Sequence, residues 1–151
     1  MNPTAETGNV SGGIPTGQSE LYQYLTSRRY EEFSARESAQ HPSIGPHTKL
    51  GLPVRVFVND TLDASMKSGN ASHPVGSSAV KEMYDGDGNL QGWAVAQKTQ
   101  ADSEGGKGWF WYEVTSTTDG SSPVGIGNGI PLCYGCHSIG TDFVLTKYPL
   151  R

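Results

Sequence analysis

Hydrophobic positions change their period along the chain. Over residues 19–38, Tyr22, Leu25, Tyr30 and Phe33 recur at roughly helical spacing, which predicts a helix that buries one stripe. Ser19 is placed to cap its start, and Pro42 lies past its end. Residues 41–51 (HPSIGPHTKLG) are punctuated by Pro and Gly and read as loop. From Leu52 the period becomes two. In LPVRVFV, residues 52–58, the side chains of Val54, Val56 and Val58 share one face of a strand. Residues 59–67 predict a short helix capped by Asn59 or Asp60. Residues 76–84 and 90–98 predict strands on either side of the turn-rich DGDGN, a hairpin signal. Residues 108–115 (GWFWYEVT) predict an aromatic strand after the polar loop 99–107. Residues 116–131 read as a long irregular loop, and 143–147 (FVLTK) as a short closing strand.

These elements predict an α+β fold: an antiparallel β-sheet of four to five strands packed with an N-terminal helix and short helices. Residues 1–17 are polar and glycine-rich and read as a flexible tail, leaving 18–151 as one domain. Only 34% of the 151 residues are hydrophobic, with Gly 20 and Pro 9, so the core is thin and a cofactor would help to staple it. Seven Tyr, four Phe and three Trp argue against disorder. The net charge is −4 and the cations are scattered, which argues against nucleic acid as a partner. No apolar run approaches a membrane span. The patch Gly125-Ile-Gly-Asn-Gly129 is not read as a phosphate loop: no Lys-Ser/Thr follows, and no helix is expected after it.

Both cysteines lie in Cys133-Tyr-Gly-Cys136-His137. Cys-x-x-Cys-His is the attachment signal of c-type haem. Two thiols three positions apart on a tight turn reach the two vinyl groups of one porphyrin, and the next imidazole becomes the proximal iron ligand. Three other uses stay open. A structural zinc site needs four ligands and would have to recruit a distant His. A thioredoxin-type pair belongs at a helix start in an α/β pattern. A plain disulfide is the third. Covalent haem c accounts best for the whole motif, with Cys133, Cys136 and His137 binding the cofactor and His137 the metal. The 14 residues after His137 hold no Met or His, so a second axial ligand is sought among Met66, Met83, His41, His47 and His73. Of these, His47 and His73 sit beside prolines in loops. An open sixth position would mean small-ligand binding or catalysis. Trp93, Trp109, Phe110, Trp111 and Tyr112 are assigned to the core, some of them against the porphyrin.

With these pieces placed, the chain resembles the cytochrome P four-sixty family, β-sheet mono-haem c-type proteins that include the cytochromes c-prime-beta. The resemblance spans roughly residues 40–148 and rests on GPHTKLGLPVRVFVND, HPVGSSAVKEMYD, GWAVAQK, GWFWYEV and CYGCHSIGTDFVLTKYPL, with PVGSSAVKE the most specific string. It implies haem held against the sheet. It implies that Lys81, flanked on its own strand face by Ala79 and Met83, lies at the haem edge, where hydroxylamine-oxidising members join a lysine to a porphyrin meso carbon. A surface lysine covering the sheet with its stem is the alternative. The resemblance also implies that Arg55 lies near the distal side of the haem, as ligand donor or propionate partner, against an ordinary strand arginine. In one respect the sequence departs from active members. Ala94 stands where a distal carboxylate base is expected, Glu82 should face away from Lys81, and Glu113 is a candidate without a place.

The resemblance thus implies oxidation of hydroxylamine to nitrous or nitric oxide, with Arg55 and Lys81 in the catalytic site and electrons passing to a partner cytochrome. Two other functions compete: a non-catalytic nitric oxide or carbon monoxide binder, and a simple electron-transfer cytochrome. Homodimers occur in the family. Haem attachment to this motif follows export, so a periplasmic or secreted location is expected, although the start of this chain does not read as a secretory leader.

Overall fold

The computed structural model describes residues 13–43, 45–47 and 51–151. In chain order the elements are α1 (Gln18–Thr26), β1 (Ala35–Arg36), β2 (His41–Pro42), β3 (Pro53–Val58), α2 (Asp60–Lys67), β4 (Ser78–Tyr84), β5 (Leu90–Lys98), β6 (Trp109–Val114), β7 (Gly125–Asn128) and α3 (Pro131–His137), with 3-10 turns at Arg29–Glu32 and Glu104–Gly106. The architecture is α+β, as expected, but the sheet is larger than four to five strands. It has seven, in the order β1-β3-β4-β5-β6-β7, with β2 also on β3. All pairings are antiparallel.

The added strands have physical reasons. β1 and β2 are two residues each and borrow their order from the edge of β3. β7 is glycine-rich and lies within the expected loop 116–131. It carries little strand propensity and pairs because β6 offers it an edge. The expected closing strand 143–147 is reduced to one bridge between Thr141 and Val144. The expected helix over 19–38 ends at Thr26, where Arg28 turns left-handed (φ 57°) and the Ser27 hydroxyl bonds back to the Gln23 carbonyl. A helix does open after the glycine patch: α3, seven residues long, with Pro131 in its first turn. Asn59 caps α2 through Oδ1, which accepts from Leu62 N at 3.0 Å.

Alternation gives the sheet two unlike faces. One carries Phe57, Val80, Trp93, Val95, Phe110, Tyr112 and Val114, covered by Leu21, Leu25, Tyr30 and Phe33. Each fully buried Leu or Phe contributes roughly 1.5–3 kcal/mol. Ile14 joins this core at 4% exposure and exchanges two hydrogen bonds with the Gln97 side chain. The ordered domain therefore begins before residue 18; residues 1–12 of the expected tail lie outside the described residues. The other face is covered at one end by α2, where Val56, Val58 and Leu62 cluster with Met66, Ala79, Val144 and Leu150. α3 lies over β6 and β7, with Ile130 at its start against Gly125 and Gly127 and His137 against Trp111. Among the described residues no helix is long and apolar enough to cross a membrane.

Candidate haem-binding site

Cys133, Cys136 and His137 all lie on α3, so the motif sits on a helical turn. Both thiols are free; Cys133 is half-buried and Cys136 exposed. Burial pushes the Cys133 thiol up to about 11, with Glu113 and Cys136 adding to the shift. No residue of α3 is buried, and its apolar Leu132 is 65% exposed. α3 is docked through the turn before β6. There Gly106 (φ 99°) comes so close to Tyr134 that an added Cβ would lie 2.3 Å from the Tyr134 Cβ.

His137 is oriented from both sides. Its Nδ1 lies 2.9 Å from the Phe143 carbonyl. A carbonyl only accepts, so Nδ1 carries the proton and Nε2 keeps its lone pair, the form a metal ligand needs. Among the described residues no hydrogen bond occupies Nε2. The ring packs against Trp111, with centroids 4.9 Å apart. Burial holds the His137 pKa below its ordinary value, and the nearby His47 and Lys81 push the same way, against the Phe143 carbonyl and Glu113. The imidazole is therefore neutral at neutral pH.

The sheet under α3 holds the polar residues. Register puts Val56, Lys81, Ala94, Glu113 and Gly125 in one cross-strand row. Ala79, Ala96, Trp111 and Gly127 form the next. This floor is made mostly of Ala and Gly. Ala79, Lys81, Ala94, Ala96 and Glu113 are each half-buried, while their strand neighbours on the other face are fully buried. Burial lowers the Lys81 pKa, opposed by Glu37 and Glu113. His47 reaches the same corner. Its Nδ1 is 3.1 Å from Glu113 Oε1, in ion-pair range though not aligned as a hydrogen bond, and its ring centroid is 6.0 Å from that of His137.

These features fit a covalently held haem: two free thiols one helical turn apart, an imidazole with the correct nitrogen free, and a sheet face where Ala and Gly alternate with Lys81, Glu113 and Trp111. Among the described residues no three His, Cys, Asp or Glu side chains converge as a metal cage.

Arg55 is not at this site. It pairs with Glu82 and shares the face of Phe57. Its Nε donates to the Glu37 carbonyl at 2.8 Å. The expectation of Arg55 beside the distal ligand is corrected by the period of the strand: Val54 and Val56 face the floor, so Arg55 faces away. Glu82 also faces away from Lys81 and accepts from the hydroxyls of Tyr30 and Tyr84. The other axial candidates are engaged elsewhere. His41 Nε2 bonds Glu37 at 2.9 Å and His73 Nδ1 bonds Ser65 at 2.7 Å. Met83 is 1% exposed and Met66 packs on the α2 cluster. Sequence reasoning missed Trp111 as the partner of His137, and the Phe143 carbonyl, a backbone group with no side-chain signal. Neither a family model nor a curated protein matches this chain.

Proposed function

We propose that this chain is a mono-haem c-type protein. Cys133 and Cys136 form the thioethers, His137 is the axial ligand, and the other axial position is open to a small nitrogenous or diatomic ligand. One observation carries the reading: the hydrogen bond from His137 Nδ1 to the Phe143 carbonyl, on the same helix as two free thiols. It leaves the Nε2 lone pair of His137 available to a metal, as a metal-ligating histidine requires.

In the catalytic form of the proposal the substrate is hydroxylamine. Bound haem supplies an electron-accepting iron and a coordination position for nitrogen. The chain's residues handle the protons. Glu113 is the carboxylate available as base, standing one strand away from Ala94 and in the same row. His47, 3.1 Å from Glu113, passes protons outward, because it also lines an open cleft with Pro46, Leu52 and Gln91. A periplasmic or secreted setting, a partner cytochrome as electron acceptor and a homodimeric state belong to the same proposal.

A second reading, a six-coordinate electron carrier, is favoured by the 6.0 Å between the rings of His47 and His137. The test is to express the chain with the cytochrome c maturation system, then measure its mass and its spectra with and without carbon monoxide. A mass gain of one haem and a carbon monoxide shift of the ferrous spectrum support the open site. Bound haem with no shift until His47→Ala is introduced supports the carrier. A colourless product of bare polypeptide mass ends both readings.

A further inference from the structure

The carbonyl that orients His137 belongs to an unusual turn. Thr141 and Val144 bond each other in both directions, N to O at 3.1 and 3.0 Å, closing a two-residue loop. Both central residues are left-handed, Asp142 at φ 46° and Phe143 at φ 67°. Turns with two left-handed residues prefer Asn-Gly, and a bulky aromatic in the second place is a poor choice. Such a conformation persists only where its surroundings over-determine it, and such sites cluster where geometry matters for function.

Here the surroundings act through one carboxylate. Asp142 Oδ2 accepts from Lys98 Nζ at 2.8 Å and His73 N at 2.8 Å, with Ser72 Oγ at 3.5 Å. Oδ1 accepts from Ser103 Oγ, which in turn accepts from Trp109 Nε1 at 3.2 Å. Lys98 is 1% exposed, and its ammonium also donates to the His73 carbonyl at 2.7 Å and Ser72 Oγ at 3.1 Å. Three segments distant in sequence therefore hold one side chain: the loop before β4, the end of β5 and the loop before β6. The next residue in the chain presents its carbonyl to His137 Nδ1.

We propose that Asp142, anchored by Lys98, is the positioning residue for His137: it holds the left-handed turn that aims the Phe143 carbonyl and so fixes the imidazole with Nε2 free. Its consequence for iron rests on the haem reading above; its consequence for the tautomer does not. Alanine at position 142 lacks the anchors and disfavours left-handed backbone. Asparagine tolerates that backbone and keeps one acceptor oxygen for Lys98 and His73 N, with an amide donor facing Ser103 Oγ in place of the other.

The test uses the full chain in two forms. In the chain produced without haem, two-bond nitrogen–proton correlations report the His137 tautomer. Wild type and Asp142→Asn are expected to carry the proton on Nδ1, and Asp142→Ala to shift toward the Nε2–H form favoured by free imidazole. In the haem-loaded protein, Asp142→Ala is expected to lower the ferrous iron–histidine stretching frequency and raise the reduction potential, because the ligand loses its hydrogen-bond acceptor. Asp142→Asn, which keeps the left-handed backbone and an acceptor for Lys98 but gives up the ion pair and some stability, stays at the wild-type frequency and potential. A wild-type His137 protonated on Nε2, or an Asp142→Ala chain with the wild-type tautomer, overturns the proposal. If Asp142→Ala does not fold, Lys98→Met with Asp142→Ala leaves no lone buried charge and is read the same way. If the wild-type chain takes up no haem, the haem reading fails while the tautomer still decides this one.

Discussion

Lys81 and Glu113 stand on one face of the sheet in a single cross-strand row, with only Ala94 between them. Two strand spacings separate their backbones by roughly 10 Å. A half-buried amine and a half-buried carboxylate thus face the same small-residue floor beneath α3. Glu113 is the one carboxylate of this row, and His47 adjoins it. Glu113→Gln keeps shape and removes the base. It is expected to lower hydroxylamine turnover about 100-fold, the lower end of what a general base contributes. Haem content and carbon monoxide binding should be unchanged. Steady-state assays with an artificial electron acceptor check this, and full turnover in the variant would remove Glu113 from the reaction.

The amine makes a separate prediction. Burial holds the Lys81 pKa below its ordinary value, which raises the share of neutral, nucleophilic amine. Joining this amine to a porphyrin meso carbon replaces a C–H bond and releases two electrons and two protons, so proteolysis of haem-loaded protein treated with hydrogen peroxide, which takes them up to form water, is expected to yield a haem peptide joining Cys133–His137 to the segment containing Lys81. Lys81→Arg, a cation that does not deprotonate, should keep both thioethers and lose the third link. Mass spectrometry decides this directly: a Lys81 peptide released free of haem refutes the link.

The sequence made some of these relations legible and hid others, for identifiable reasons. The alternation in β3, β4 and β5 was enough to place Val54, Val56 and Val58 together and to turn Glu82 away from Lys81. The same alternation turns Arg55 away from Lys81, to the face of Phe57 and Glu82. Glu113 had no place until the β5–β6 register was known, because a slip of one residue would move it to the other face. β7 was hidden because glycine hardly signals a strand and its pairing depends on β6. The carbonyl that meets His137 Nδ1 lies six residues on, at Phe143, and the preceding Asp142 side chain is bonded by Lys98 at the end of β5. That contact is tertiary and leaves no local pattern.

The Lys98–Asp142 pair has a stability signature of its own. Burial works against the ionised Asp142, but Lys98, Ser103 and the His73 N–H outweigh it and hold its pKa below the ordinary carboxylate value. A depressed carboxylate pKa contributes stability above the unfolded value of about 3.9, and that contribution is lost as pH falls through the folded value. Lys98→Ala leaves the carboxylate buried without its cation and is expected to cost about 3–5 kcal/mol at neutral pH. Asp142→Asn carries no group that titrates there. Urea unfolding from pH 7 down to pH 2 should therefore show a shallower acid loss in Asp142→Asn than in wild type. Parallel curves would show that the pair does not contribute.

The docking of α3 gives the last prediction, because two neighbouring glycines separate its causes. Gly105 and Gly106 both have positive φ, 66° and 99°. An added Cβ at Gly105 meets nothing within 4 Å, whereas at Gly106 it would lie 2.3 Å from the Tyr134 Cβ and 3.2 Å from Phe143 Cε1. Gly105→Ala therefore carries only the backbone cost, about 1–2 kcal/mol. Gly106→Ala carries that cost and also pushes α3 and Phe143 away, for a total of about 2–5 kcal/mol when overpacking is included. Because Tyr134 lies between the two cysteines and Phe143 supplies the acceptor for His137, the second variant should also retain less covalent haem. Thermal melts of the two variants, with haem quantified by absorbance against protein mass, check both expectations. Equal losses in the two would mean that the Gly106–Tyr134 contact does not set the position of the motif.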